Sequence, residues 1–156
     1  KRAYCLKIQP ATGRSHEILF IQQSPRNVAV QKEGNKSFIL FEAPNGKTCK
    51  VTTRSKKAGT WQTTTNYAAQ CTLDKKDNAF WVFVDLGREP NTFYITPLSW
   101  IRNDIYEAHV EYLDKHGGHR AHNDESTHHS ISVKRIAGWK NAWGEMGLSE
   151  SVNNSA

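Results

Sequence analysis

The continuous apolar run Ala79-Phe-Trp-Val-Phe-Val-Asp85 limits what this chain can fold into more than any other segment. An apolar run that does not alternate with polar residues is typical of a strand buried on both faces. A second apolar segment, residues 92–96, follows the turn Arg88-Glu-Pro-Asn91 and predicts a hairpin partner for that strand. We therefore expect the run to form the core of a sheet.

Three further strands are predicted before this run. They are residues 27–32, 37–42 and 47–54, separated by the turn-forming segments Gly34-Asn35 and Pro44-Asn45-Gly46. Short strand-like runs joined by tight turns pair with their neighbours, so this spacing predicts an antiparallel meander. Residues 60–65, which are rich in Thr, predict one more strand.

Two helices are predicted on either side of these strands. Residues 12–24 place Ile18, Leu19 and Ile21 near one side ahead of Pro25, which predicts a short helix ended by proline. Thr96-Pro97 is expected to cap and begin a longer helix, because Thr caps helices and Pro is tolerated at the first helical position. Gly117-Gly118 is expected to end it.

The C-terminal part of the chain predicts a last helix and a tail. Ile136, Trp139 and Trp143 recur at helical spacing, which predicts a helix that packs on the sheet. Residues 149–156 are small and polar, and we expect them to be a disordered tail.

Composition limits the number of domains and the kind of partner. The 156 residues have the size of one domain, which we place at residues 1–148. The net charge of +6 and the pI near 9.3 favour a polyanionic partner such as nucleic acid. Three widely spaced Cys indicate a reducing, cytoplasmic compartment rather than secretion. No apolar run approaches the roughly 20 residues of a membrane span, so we expect no membrane partner.

Residues 47–61 form the most basic segment and are the best indication of function. Alternation along a strand places Thr48, Lys50, Thr52 and Arg54 on one face and smaller or apolar side chains on the other. The cations could neutralise phosphates, and a nearby Trp could stack on a base. The candidate nucleic-acid-binding residues in this segment are Lys47, Lys50, Thr52, Arg54, Lys56, Lys57 and Trp61.

The later part of the chain carries a recognisable pattern. The segments are Phe80-Trp-Val-Phe-Val-Asp-Leu-Gly87, Phe93-Tyr-Ile-Thr-Pro97, Cys49-Lys-Val-Thr-Thr53 ahead of Trp61, His128-His129, and Trp139 with Trp143. With the order of predicted elements, these segments resemble a small group within the PD-(D/E)XK, restriction-endonuclease-like nucleases. The resemblance implies a single α/β domain with a central mixed sheet flanked by helices.

The nuclease-like group uses carboxylates to hold Mg²⁺ and a Lys to assist hydrolysis of a phosphodiester. Here Lys50 falls where an acid or Gln is expected, Thr52 falls where the Lys is expected, and the first acid falls near Ser37 or Phe38. An ammonium at a metal position repels Mg²⁺ and attracts phosphate. The resemblance therefore implies an inactive nuclease-like domain that binds DNA, most readily double-stranded, as the recognition part of a restriction or defence system.

Two other functions stay open at this point. An active Mg²⁺-dependent endonuclease could use Glu42 with Lys50, and Glu17 from the first helix. A protein-interaction module could present the same basic face to an acidic protein. We expect no cofactor unless the endonuclease alternative holds.

The His-rich region, residues 116–129, is a further candidate. Its spacing His116-x-x-His119-x-x-His122 fits no strong zinc pattern, so we expect no metal there. Arg120 and Asn123 in this region could read base edges, since Arg suits guanine and Asn suits adenine.

Overall fold

The computed structural model describes residues 4–8, 16–20, 25–71, 77–120, 123 and 125–148. Within these residues the strands are β1 (Tyr4–Ile8), β2 (His16–Phe20), β3 (Arg26–Glu33), β4 (Lys36–Glu42), β5 (Thr48–Lys56), β6 (Trp61–Thr64), β7 (Ala79–Asp85), β8 (Thr92–Pro97) and β9 (His128–Ile131). The helices are α1 (Leu98–Lys115) and α2 (Val133–Ile136), with single 3₁₀ turns at Thr65–Tyr67, Ala137–Trp139 and Trp143–Met146.

A five-stranded mixed sheet with the order β3-β4-β5-β7-β8 is the centre of this small α/β domain. Strand β5 runs parallel to β7, and the other neighbours are antiparallel. The predicted meander, the strand buried on both faces and its hairpin partner are all confirmed. Every residue of β7 after Ala79 is buried. The strand predicted at residues 60–65 also forms, as β6, but it pairs with β9 in a separate two-stranded sheet.

Different structures cover the two faces of the main sheet. One face carries the buried side chains of Cys49, Val51 and Phe80, and the C-terminal 3₁₀ turn packs on it through Trp143 and Met146. On the opposite face, the part formed by β7, β8 and the end of β5 at Lys56 is covered by α1 and by the β6–β9 sheet. We call this the covered half.

The remainder of that second face lies on β4 and β5, and its side chains are only partly buried. We call it the open half, and its members are Lys36, which is exposed, Phe38, Leu40, Lys50, Thr52 and Arg54. Tyr67, which packs against the covered half, borders it. Register places the members together, because Leu40 lies opposite Lys50, and Thr52 lies beside Trp81 of the covered half. The two halves therefore form one continuous sheet surface.

The helix predicted at residues 12–24 is wrong. Residues His16–Phe20 form strand β2, which pairs antiparallel with β1 so that Ile18 lies opposite Leu6. A short apolar run fits a helix or a strand equally well by its periodicity. Pairing with a second short segment decides the outcome here.

Helix α1 is confirmed, but its predicted cap is wrong. Thr96 still belongs to β8, and its hydroxyl donates a hydrogen bond to the Trp81 carbonyl oxygen at 3.2 Å. The carboxylate of Asp77 accepts the Ser99 N–H at 2.8 Å instead, which satisfies one of the amides that a helix N-terminus leaves unpaired. The helix ends before Gly117, whose φ of 68° suits glycine.

The single final helix predicted from Ile136, Trp139 and Trp143 is also wrong. Helix α2 and two 3₁₀ turns occupy this segment, and Asn141 interrupts it with a φ of 52°. Ile136 packs on the covered half, whereas Trp143 packs on the opposite face of the sheet. The regular spacing thus reflects a chain that passes around the edge of the sheet, not one helix face.

The predicted tail, residues 149–156, lies outside the described residues. Of the helices in the described part of the chain, none combines the length and the apolar character that crossing a membrane requires.

Candidate functional site

The alternation predicted for β5 is confirmed. Cys49 and Val51 are fully buried in the core, while Lys50, Thr52 and Arg54 lie on the open half and are partly exposed. Burial raises the pKa of the Cys49 thiol, although the charge of Lys47 opposes that effect. The strand thus presents an inert apolar side to the core and a basic side to the surface.

Lys50 is held loosely between a carboxylate and an aromatic ring. Its Nζ lies 3.1 Å from the Glu33 Oε1 and 3.9 Å from the centre of the Phe38 ring. The side chains of Lys50 and Glu33 are 38% and 52% exposed, so water screens the ion pair and its contribution is small. The ammonium of Lys50 can therefore leave Glu33 for a stronger anion.

The guanidinium of Arg54 lies over two aromatic rings. Its guanidinium carbon is 4.8 Å from the Trp81 ring centre and 5.7 Å from the Tyr67 ring centre. Within the described residues no carboxylate pairs with it, and its buried Nε has no hydrogen-bond partner. Stacking on rings leaves the edge of a guanidinium open to a planar or tetrahedral anion.

Lys36 joins this group, although it was not among the binding residues predicted from the sequence. Its Nζ lies 5.1 Å from the centre of the same Tyr67 ring that Arg54 contacts. Lys36 is two residues before Phe38 on β4, so strand alternation alone could have placed both on one face. The 3₁₀ turn at Thr65–Tyr67 brings Tyr67 there, and the Arg102 Nε donates a hydrogen bond at 3.1 Å to the Tyr67 carbonyl oxygen.

The stacking role expected for Trp61 is wrong, because this residue is part of the core. Trp61 is 1% exposed, and its Nε1 donates a hydrogen bond to the Val84 carbonyl oxygen at 3.1 Å. Its ring packs edge-on against Phe83 and Tyr94. A base could not reach it.

The phosphate-binding role expected for Lys56 is also wrong, because this side chain is buried in an ion pair. Its Nζ lies 2.9 Å from the Asp85 Oδ2, in a pair whose side chains are only 9% and 4% exposed. Burial alone would raise the pKa of the Asp85 carboxyl, but hydrogen bonds from Lys56 and from the Gly87 N–H, with the charges of Lys56 and Arg88, lower it below its ordinary value. Lys56 is thus committed to a buried ion pair.

The remaining candidates are scattered. Lys47 lies over the Phe80 ring at 5.2 Å, on the side of the sheet opposite Lys50. Lys57 is exposed in the turn after β5. Arg120 lies 5.9 Å from the Tyr112 ring centre beyond the end of α1, and the Asn123 side-chain oxygen accepts the Glu125 N–H in a local turn. Of the predicted binding residues, Lys50, Thr52 and Arg54 therefore share one surface.

The acids of the endonuclease alternative do not form the arrangement that was expected. Glu42 lies opposite Thr48 and accepts a hydrogen bond from the Asn27 amide at 3.3 Å, while Lys50 pairs with Glu33. Glu17 belongs to strand β2, not to a helix. Among the residues that the structure describes, no three His, Cys, Asp or Glu are grouped so that they could hold a metal ion.

A second polar cluster, which was not predicted from the sequence, joins α1 to β9. Arg135 donates hydrogen bonds to the Asp104 carboxylate at 2.5 Å and to the Ser130 carbonyl oxygen at 2.9 Å, and its Nη1 lies 3.1 Å from the His129 Nε2. Desolvation of the ring, with the charges of Arg135 and other neighbours, lowers the pKa of His129 to about 4. No sequence signal links Asp104 to Arg135, since they are 31 residues apart.

Comparisons with protein-family models, curated proteins and solved structures give no match to this chain. The geometry of the open half therefore provides the grounds for assigning a function.

Proposed function

We propose that this protein is a nucleic-acid-binding domain of restriction-endonuclease-like fold that does not hydrolyse its ligand. One observation carries the proposal: Lys50 and Arg54 share the open half with Lys36, and each contacts an aromatic ring instead of a buried carboxylate. Cations arranged in this way on a sheet surface suit a chain of phosphates better than a single small anion.

The sheet supports the assignment of the fold. Its meander, buried strand, hairpin partner and following helix keep the order on which the resemblance rests. The positions that the resemblance assigns to catalysis are also close in space, because the Lys50 ammonium lies over the Phe38 ring. The chain departs from the pattern at β2, where a helix was expected.

The side chains at those positions favour binding over cleavage. Metal-dependent hydrolysis requires oxygen ligands for Mg²⁺, but Phe38 has none and Lys50 adds a positive charge. The same ammonium attracts a phosphate. A domain of this kind would serve as the recognition part of a restriction or defence system, with double-stranded DNA as the partner expected from sequence.

A binding assay over a range of salt concentrations tests the proposal. Lys50→Ala with Arg54→Ala should weaken DNA binding and reduce the slope of log affinity against log salt by about two, because each phosphate contact releases about one counterion. Lys134→Ala is the matched control, since Lys134 is exposed on α2, away from the open half. Unchanged affinity and slope in the double variant would show that the proposed surface is wrong.

A cleavage assay separates binding from hydrolysis. Supercoiled and linear DNA incubated with the protein in Mg²⁺, and then in Mn²⁺, should remain intact. Nicking that disappears in Glu42→Ala would overturn the proposal and establish a metal-dependent endonuclease. If no DNA is bound at any salt concentration, the basic face must serve another partner, such as an acidic protein.

A further inference from the structure

The open half combines cations with partly exposed rings, and this combination indicates which form of nucleic acid it binds. We infer that it binds a single-stranded segment, with bases stacked on Phe38 and Tyr67 and phosphates held by Lys36, Lys50 and Arg54. The inference rests on the proposed function and replaces the expectation of double-stranded DNA that came from the sequence.

The two rings are accessible from the surface. Phe38 and Tyr67 are both partly exposed, whereas the rings of the covered half, such as Trp61 and Phe83, are buried. Tyr67 packs edge-on against Trp81 with ring centres 4.9 Å apart, which fixes the orientation of its ring. Rigid, partly exposed rings are the platforms on which proteins stack unpaired bases.

A lysine ammonium lies over or near each of the two rings. The Lys50 Nζ lies over Phe38 and the Lys36 Nζ lies near Tyr67. Lys36 is exposed, and the one carboxylate that pairs with Lys50 within the described ranges is Glu33, in an ion pair that water screens. A base that takes the ring face displaces the ammonium, which then has the adjoining phosphate within reach. One movement therefore makes both contacts.

Arg54 differs from the two lysines because it is already in place. Its guanidinium is packed against Trp81 and Tyr67 and has no ion-pair partner in the described part of the chain. A phosphate bound there needs no carboxylate to be displaced first. We therefore assign the most strongly held phosphate to Arg54.

The rest of the surface is poorly suited to a duplex. A duplex hides its base faces in its own stack, so Phe38 and Tyr67 would have nothing to contact. Reading of the major groove commonly uses a helix, yet the exposed C-terminal half of α1 carries Glu107, Glu111 and Asp114, which repel phosphates. Helix α1 also packs on the sheet through Ile101 and Ile105, so it does not project from the domain.

Fluorescence anisotropy with three labelled ligands of about 12 nucleotides, a length within the range of single-strand sites, tests this inference. The ligands are a single strand, the same strand with abasic sites throughout, and the matched duplex. The wild-type protein should bind the single strand about tenfold more tightly than the abasic strand, because only the former can stack. This comparison needs no variant, so it does not depend on whether a variant folds.

Two variants locate the effect. Phe38→Leu keeps an apolar side chain but removes the ring, and it should reduce the preference for the strand with bases over the abasic strand. Val30→Ala is the control, because Val30 is 64% exposed on β3 and its strand partner Ile39 lies on the opposite sheet face. It should leave all three affinities unchanged.

The outcomes distinguish this inference from the proposed function. Duplex affinity that equals or exceeds single-strand affinity, with no effect of Phe38→Leu, would overturn the single-strand inference. If that duplex binding still depended on Lys50 and Arg54, the proposed function would stand. If none of the three ligands bound, both proposals would fail.

Discussion

The covered half and the open half of one sheet face use the same residue types in opposite ways. Lys50 and Lys56 lie on the same side of β5, yet Lys56 is buried against Asp85 while Lys50 lies between Glu33 and Phe38 near solvent. What covers the strand decides between these outcomes. Where α1 and the β6–β9 sheet exclude water, charges are paired and structural, and where they do not, cations remain available to a ligand.

The largest expected change in stability comes from removing the buried carboxylate of Asp85. Asp85→Ala leaves the Lys56 ammonium in the core without its partner, and we expect a loss of about 3–5 kcal/mol in the free energy of unfolding, measured by denaturant titration. A loss below about 1 kcal/mol, as for an exposed pair, would remove the distinction between the two halves.

A double variant serves as the control for Asp85→Ala. Lys56→Met together with Asp85→Leu replaces the buried pair by apolar side chains of similar size. Because no unpaired charge then remains in the core, the double variant should be more stable than Asp85→Ala alone.

An intermediate effect on stability is expected from the titration of His129, which belongs to the β6–β9 sheet over the covered half. The pKa of His129 is lowered from 6.5 to about 4 in the folded protein, so between these values the unfolded state binds a proton that the folded state does not. Stability should therefore fall as pH drops from about 6.5 to 4. His129→Gln should reduce this dependence by about 1–2 kcal/mol, a value discounted because solvent partly screens the half-buried ring.

Denaturant titrations at several pH values measure this effect. His119→Gln is a suitable comparison, since His119 is exposed. Equal pH dependence in the wild-type protein and His129→Gln would contradict the lowered pKa.

The smallest effect on stability is expected in the open half. Glu33→Gln removes the partner of Lys50, but that pair is exposed, so the free energy of unfolding should change by less than about 0.5 kcal/mol. The same change removes a carboxylate from the proposed binding surface, and affinity for nucleic acid should rise a few-fold. A loss of affinity would mean that Glu33 positions Lys50 for binding instead of competing for it.

The sequence predicted those elements whose signals are local. The meander follows from turns at fixed positions, and the buried strand follows from its unbroken apolar run. The basic side of β5 follows from alternation. Alternation could not show that the C-terminal end of β5 is covered by β6, so Lys56 and Trp61 were wrongly predicted to contact nucleic acid. Lys36 and Tyr67 lie on different elements that are far apart in the sequence, and no local sequence pattern predicts a contact of that kind. The single helix predicted over residues 136–143 was wrong because the regularly spaced apolar residues pack on opposite faces of the sheet.

The passage of the C-terminal segment around β8 has a consequence for self-association. Lys140 forms an isolated antiparallel β-bridge with Tyr94, and the Asn141 N–H donates a hydrogen bond to the Phe93 carbonyl oxygen at 3.0 Å. This segment therefore occupies part of the outer edge of β8. At the other end of the sheet, β3 is the last of the described strands, and all eight of its residues are exposed. Unpaired strand edges are where sheets recruit further strands. If this sheet extends by pairing with another chain, growth will proceed from β3 and in one direction.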